Sequence, residues 1–192
     1  YYFNIAPDRD LVLAYTSISS RGSIIEGKYR QLIDRKETEK GNKDSTFEID
    51  YQYLFKDDIT KLKRWLVDTS TELEISNNIH LSARFNRVSD KNYFKEIIHS
   101  NTDAERLESH LKISINNPKK NLKVELLTED EQIVNDGSPN YTRAIEVSIS
   151  KTFNAKGDLP FGAGLITTQF KHDDASKDSG TRIHGTLRTS KT

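Results

Sequence analysis

The chain has 192 residues and contains no cysteine, no methionine, one tryptophan and four prolines. Without cysteine, this stretch has no disulfide, no thiolate metal ligand and no thiol nucleophile. Long apolar runs are missing too: nothing approaches the roughly 18 consecutive apolar residues of a transmembrane helix. That excludes a spanning helix and leaves a transmembrane barrel open, because barrel strands carry a much weaker signal. Charge of one sign is also lacking. Lys+Arg and Asp+Glu number 29 each, so the formal net charge is zero and no global basic field points to nucleic acid. Hydrophobic residues make up 34% and charged residues 30%, which is too apolar-poor for a fully buried parallel sheet. Neither an initiator methionine nor a signal peptide opens the chain, which reads as a processed or excerpted piece of something longer.

What the chain does have is a period of two. Residues 73–88 run L-E-I-S-N-N-I-H-L-S-A-R-F-N-R-V. Leu73, Ile75, Ile79, Leu81, Ala83 and Phe85 share one side, with Glu74, Ser76, His80, Ser82, Arg84 and Asn86 on the other. Successive side chains leave a strand on opposite faces, so this predicts two strands, and Asn77-Asn78 supplies a tight turn between them. Residues 46–55 alternate most cleanly: Phe47, Ile49, Tyr51, Tyr53 and Phe55 against Glu48, Asp50 and Gln52.

The same pattern predicts strands over residues 10–19, 23–33, 64–75, 105–115, 122–132, 141–153, 160–171 and 181–189. Turns are expected at Ser20-Arg21-Gly22, at the Pro118 segment and at the Gly157 segment. Residues 34–45 read as a solvated charged loop, and Glu129-Asp130-Glu131 as a solvated strand end. Tyr93, Phe94, Ile97 and Ile98, after Asp90 as a possible N-cap, predict a short helix on the longest connection. This gives about ten strands with no crossover helix, hence an antiparallel up-and-down sheet. By parity, the Asn77, Pro118 and Gly157 turns lie at one end, and the connections holding Tyr93, Gly137 and Asp174 at the other. Short turns at one end and long loops at the other are expected of outer-membrane barrels. The 34–45 segment is then an exception, long on the short-turn side.

Catalytic chemistry is not suggested. The five histidines, His80, His99, His110, His172 and His184, show no converging spacing. No G-x-S-x-G elbow occurs, and no helix follows Gly162 and Gly164, so they are strand glycines at a bend or close approach rather than a phosphate loop. No cofactor or metal site is expected. Arg84, Lys112, Glu125, Glu146, Arg182 and Arg188 all fall on polar strand faces, as do Glu48, Asp50 and Gln52. Such charges would be costly in a small packed barrel and cheap in a wide hydrated lumen. These residues are therefore candidate lumen-facing positions of a large barrel.

Several segments carry a resemblance: Y-Y-F-N-I-A-P-D-R-D at residues 1–10, S-R-G at 20–22, G-K-Y-R-Q-L at 27–32 and R-W-L at 64–66. R-F-N-R-V-S-D-K-N-Y-F at 84–94, L-P-F-G-A-G at 159–164 and T-R-I-H-G-T-L at 181–187 continue it. In this order they resemble the barrel domain of the LPS-assembly protein family LptD, also called organic solvent tolerance protein. The resemblance implies a bacterial outer-membrane translocon component, not an enzyme, that places lipopolysaccharide (LPS) in the outer leaflet through a lateral opening between first and last strands. It implies an LptE-like plug lipoprotein and periplasmic LPS-bridge proteins as partners, and no nucleic acid. Residues 1–192 would be the N-terminal strands of one incomplete barrel domain, lacking the family's periplasmic jellyroll, later strands and cysteines. Pro7, in N-I-A-P, becomes a lateral-seam candidate, because proline has no N–H to give a ladder. Two other readings stay open: a porin-like outer-membrane channel and a soluble β-sandwich binding module. Aromatic girdles at both strand ends would favour a barrel, and two apolar faces meeting in one core would favour the sandwich.

Overall fold

A computed structural model describes residues 1–38, 41–98, 103–153, 161–172, 174 and 176–189. Its strands are β1 (Tyr2–Ala6), β2 (Arg9–Ile18), β3 (Gly22–Thr38), β4 (Gly41–Leu54), β5 (Arg64–Ser76) and β6 (Ile79–Val88), followed by β7 (Arg106–Asn117), β8 (Leu122–Ile133), β9 (Tyr141–Phe153), β10 (Phe161–His172) and β11 (Gly180–Thr189). They form one 11-stranded sheet in strict chain order. Successive strands from β1 to β5 and from β8 to β11 pair antiparallel, as the hairpin-compatible connections require. The sheet is not closed: β1 and β11 end the order. No second sheet covers it among the described residues, so no sandwich core forms. No helix is long and apolar enough to cross a membrane.

The expectation of about ten strands holds with one more strand than the period shows, and the expectation of a loop at residues 34–45 is corrected. The strand number is eleven, because residues 2–6 pair with β2 through Tyr2↔Val12, Phe3↔Leu11 and Asn4↔Asp10. The apolar residues Tyr2, Phe3 and Ile5 occupy both faces there, which hides the period. The 34–45 segment is a hairpin rather than a loop: β3 and β4 stay paired through Asp34↔Ser45 and Arg35↔Asp44 to Thr38↔Gly41. Its charges pair across the strands. The Arg35 guanidinium donates to both Asp44 oxygens, at 2.9 and 2.9 Å. The Gly157 turn lies outside the described residues, as does His99.

The chain divides into two compact units. The first comprises Tyr1–Leu73, Ala83–Ser109 and Glu131–Ser138. Its core is Ile24, Leu54, Val88, Tyr93, Phe94, Ile97, Leu107 and Val134. Ile24 and Leu54 pair across β3 and β4 on the face that carries Glu26 and Gln52. The connection after β6 folds onto that face. It holds a single π-turn, Phe94–Ile98, in place of the expected α-helical turn. Asp90, the expected N-cap, lies four residues before this turn and closes the bend that leads into it: its carboxylate accepts from the Asn92 N–H at 3.1 Å. The tight β2–β3 turn needs Gly22, whose φ is +113° and whose absent Cβ would sit 2.9 Å from the Lys56 carbonyl oxygen.

The second unit comprises Glu74–Ser82, His110–Asp130 and Pro139–Thr192. Its register places Leu126, Val147, Thr167 and Ile183 in one cross-strand row, and Val124, Ile149 and Leu165 in another. That face is apolar and exposed, with Ile145, Val147, Ile149, Leu165, Ile183 and Leu187 all open. The tight strand packing expected at the glycines holds for Gly164, where a Cβ would meet Thr186 Oγ1 at 2.7 Å.

Candidate functional site: the polar face and its buried ionic cluster

In the first unit, the backbone pleat gathers the sequence-predicted polar positions onto one face. Val12, Lys28, Asp50 and Asp68 lie in one cross-strand row. Lys28 donates to Asp50 at 3.1 Å. Arg84 reaches across to Asp68 with two bonds of 3.1 and 2.6 Å. Arg30 grips Asp10 similarly, at 3.0 and 2.7 Å, in the row that holds Glu48. Gln52 accepts the Tyr93 hydroxyl at 3.1 Å. A recess of about 430 Å³ lies over this face, lined by Glu26, Lys28, Asp50, Asp68, Arg84 and Asn86 among others. Most of these pairs are half-exposed, so each contributes little to stability. Together they make a charged but locally neutral, water-compatible wall.

The second unit repeats the arrangement. Lys112 and Lys123 hold Glu125 at 3.0 and 3.1 Å. Arg143 pairs with Glu129 and, at 3.4 Å, with Glu146, which also accepts from the Thr168 hydroxyl at 2.9 Å. Arg182 stands opposite Thr168, in the row of Glu146, and Arg188 opposite Gly162. Glu129 and Asp130 are therefore not an unpaired strand end, although Asp130 stays half-exposed. They lie inside β8 and are paired, Asp130 with Lys171 at 2.7 Å. In the first unit, Glu131 lies 3.9 Å from Arg106. The acid run hid this because its partners are remote in sequence.

At the loop end of the first unit lies a feature that sequence reasoning missed. Arg64, 3% exposed in its side chain, is surrounded by acids. Its guanidinium donates to Asp90 at 2.9 and 2.7 Å, to Glu96 at 2.6 Å and to Asp57 at 3.1 Å. Arg21 adds bonds to Asp57 at 2.7 Å and Glu96 at 3.2 Å. The Asp57 side chain is fully buried. Burial pushes its carboxyl up, but the amides of Ile59 and Thr60 and the two guanidinium groups outweigh it and hold the pKa at about 2. Burial raises the Tyr93 hydroxyl well above the usual tyrosine range. The cluster fastens the tight β2–β3 turn, the β4–β5 connection and the π-turn to one another. One sequence signal was available: Leu54 is an apolar intruder ending the polar series Glu48, Asp50, Gln52, where something must cover it.

Among the described residues, the remaining candidates do not converge on a catalytic arrangement. His80 lies 3.2 Å from Glu74, and the His110 ring nitrogen lies 3.4 Å from Ser82 Oγ. His172 accepts from the Asp174 amide at 2.9 Å. Pro7 sits in the two-residue turn between β1 and β2, outside the ladder whose last pair is Ala6↔Arg9. The break in pairing expected from Pro7 falls instead at a register shift between Asn4 and Ala6.

An up-and-down antiparallel sheet with one bare apolar face and one charged, internally neutralised face defines a β-barrel-wall class of protein. The family can be named more closely. Residues 62–190 match the family model LptD, LPS transport system D, and the chain belongs to that family. It is 27% identical over 190 residues to the LPS-assembly protein LptD of Idiomarina loihiensis. It is 26% identical over 192 residues to that of Shewanella denitrificans and 24% identical over 190 residues to that of Shewanella oneidensis. Each match covers 96% of this chain but 23% of the relative, so the chain spans under a quarter of their length.

Proposed function

We propose that this chain forms part of the wall of a large outer-membrane β-barrel that assembles LPS into the outer leaflet. The observation that carries the reading is the two-sided sheet, with aromatic residues at both ends of β9. In β9, Tyr141 meets His172 at one end with ring centres 4.7 Å apart, and Phe153 meets Phe161 at the other, 6.0 Å apart. At a rise of about 3.3 Å per residue and a tilt of about 45°, that separation is about 28 Å along the membrane normal, against an apolar band of about 25 Å. In β4, Phe47 lies by Tyr29 midway along the strand, while Tyr51 and Tyr53 stack toward its Leu54 end and Phe55, just beyond it, meets Tyr53 edge-on. Phe47, Ile49, Tyr51, Tyr53 and Phe55 then face lipid. Glu48, Asp50, Gln52, Arg84, Lys112, Glu146, Arg182 and Arg188 face a hydrated lumen.

Connection lengths support one orientation. Connections 7–8, 39–40, 77–78, 118–121 and 154–160 alternate along the chain with 19–21, 55–63, 89–105, 134–140 and 173–179. The first set is mostly shorter and is assigned to the periplasm, the second to the cell exterior. In the complete protein β1, with the Pro7 turn beside it, borders the lateral seam through which LPS leaves. An LptE-like lipoprotein plugs the lumen, and periplasmic bridge proteins deliver LPS. The role is transport, with no covalent step.

The test is conditional depletion of the full-length gene. Newly made LPS is expected to stop reaching the cell surface and to accumulate in the inner membrane, with rising sensitivity to hydrophobic antibiotics. Undiminished surface LPS after depletion would defeat the reading.

A further inference from the structure

The connection at residues 55–63 reads F-K-D-D-I-T-K-L-K. It combines two properties that loops seldom share. It is rigidly fastened, and it presents large apolar side chains to the outside. The fastening is backbone and buried charge. The Asp57 N–H donates to the Leu62 carbonyl at 2.8 Å, and the Lys61 N–H donates to the Asp57 carbonyl at 2.7 Å. The Asp58 N–H donates to the Arg21 carbonyl at 2.9 Å, and the Asp57 carboxylate accepts from the Ile59 N–H at 2.9 Å. Lys61 takes positive φ, +63°, to close the turn.

From this base Phe55, Ile59 and Leu62 project with 59, 57 and 65% exposure. Phe55 is continuous with the apolar face of the sheet, because its ring packs edge-on against Tyr53 with centres 4.8 Å apart. Lys56 and Lys63 flank them, exposed and without an ion pair among the described residues. Lys61 folds back onto the Asp58 carbonyl. Apolar groups at an acyl boundary, with ammonium groups just above, suit a lipid carrying phosphate at its headgroup.

We propose that this loop is a docking site for phosphorylated outer-leaflet glycolipid, the LPS that the barrel delivers. Phe55, Ile59 and Leu62 enter the acyl boundary, and Lys56 and Lys63 bind the headgroup phosphates. This rests on the reading of the sheet as a barrel wall with the 55–63 connection outside. Charge complementarity and continuity with the apolar face select the occupant. The pinned base means that little conformational entropy is lost on docking.

The test places a photoreactive benzophenone side chain at position 59, or at 62, of the full-length protein in living cells. Position 78 serves as a control on the opposite end. Crosslinking to LPS is expected at 59 and 62 and not at 78. It should fall about tenfold when Lys56→Ser and Lys63→Ser are combined, as expected for removing two interfacial cations. Folded protein in the outer membrane is measured in parallel. Crosslinks to phospholipid in place of LPS, or an LPS crosslink unchanged in the double variant, would overturn the docking site and leave the barrel-wall reading standing. Failure of the unsubstituted protein to fractionate with the outer membrane would overturn that reading itself.

Discussion

Arg64→Met in the full-length protein should release the π-turn without unfolding the strands. Methionine keeps the approximate length of the side chain and deletes the charge. Four hydrogen bonds disappear, two to Asp90 and one each to Glu96 and Asp57. Asp90 and Glu96 are 38 and 31% exposed, so water replaces much of what they lose, at about 0–1 kcal/mol each. Asp57 is the costly member. It is fully buried and keeps only Arg21 and the two amides. Breaking a buried ionic set costs about 3–5 kcal/mol, and the surviving Arg21 contacts place this case near the lower end. A change of about 3 kcal/mol raises the opening equilibrium roughly a hundredfold. Hydrogen exchange read by mass spectrometry should show that acceleration over residues 91–98, where Glu96 N–H is bonded to the Asn92 carbonyl at 3.0 Å. Peptides from the centre of β9 should not change. Arg64→Lys should fall between, since an ammonium keeps the charge and loses the fork. Unaltered exchange over 91–98, or an equal acceleration in β9, would refute the reasoning that this cluster holds the segment locally.

Asp57 has its folded pKa depressed to about 2 from 3.8. Its stabilisation is therefore complete above about pH 4 and lost as pH falls toward 2, amounting to about 2 kcal/mol; pepsin cleavage near Phe94 should appear only across that window, and at every pH in Asp57→Asn. Val147→Arg, at the middle of the apolar face, should destabilise the barrel by about 2–4 kcal/mol, while Ser148→Arg on the polar face should cost about 1 kcal/mol or less; urea titration scored by heat-modifiable mobility separates them, and equal effects would contradict the assignment of faces. A single cysteine at Asp174 of the full-length protein on intact cells should react with a membrane-impermeant thiol reagent, and one at Asn78 should not; the reverse would invert the orientation.

Much of the sheet was legible because a strand with one apolar face writes its geometry into alternate residues. The runs at Phe47–Phe55 and Tyr141–Phe153 needed no tertiary information. β1 failed the same test because Tyr2, Phe3 and Ile5 put apolar groups on both faces, and an end strand has only one neighbour to constrain it. The polar-face candidates were legible as a face, though not as pairs. Arg84 and Asp68 are joined by strand register, and register depends on the whole hairpin. The buried cluster was the least legible feature. Arg21 lies 36 residues from Asp57 and 75 from Glu96, so no local spacing announces them. Tyr93, Phe94 and Ile97 did announce a compact apolar turn. Their destination was hidden because the polar face gave little sign of an apolar patch apart from Leu54.

The 34–45 segment shows how local composition and global topology can conflict, and which should prevail. D-R-K-E-T-E-K-G-N-K-D-S has the composition of a solvated loop. As a loop it would be a long connection at the end that holds the two-residue connections 7–8 and 77–78. As a paired hairpin it adds length to β3 and β4 and leaves a two-residue connection, 39–40, at that end. Strands beyond the apolar band face water on both sides, so alternation is no longer required of them, and cross-strand charge pairs such as Arg35–Asp44 take over register. On the barrel-wall proposal, loss of the period marks where β3 and β4 leave the membrane, since both strands continue beyond that point, β3 to Thr38 and β4 from Gly41. With that correction the two-residue connections 7–8, 39–40 and 77–78 all fall on one side by parity, and the three-residue connection 19–21 falls on the other. That turn is where Arg21 enters the ionic cluster and where Gly22 supplies the positive φ. Its tightness is thus set by the buried acids it must reach, and it does not count against an exterior position.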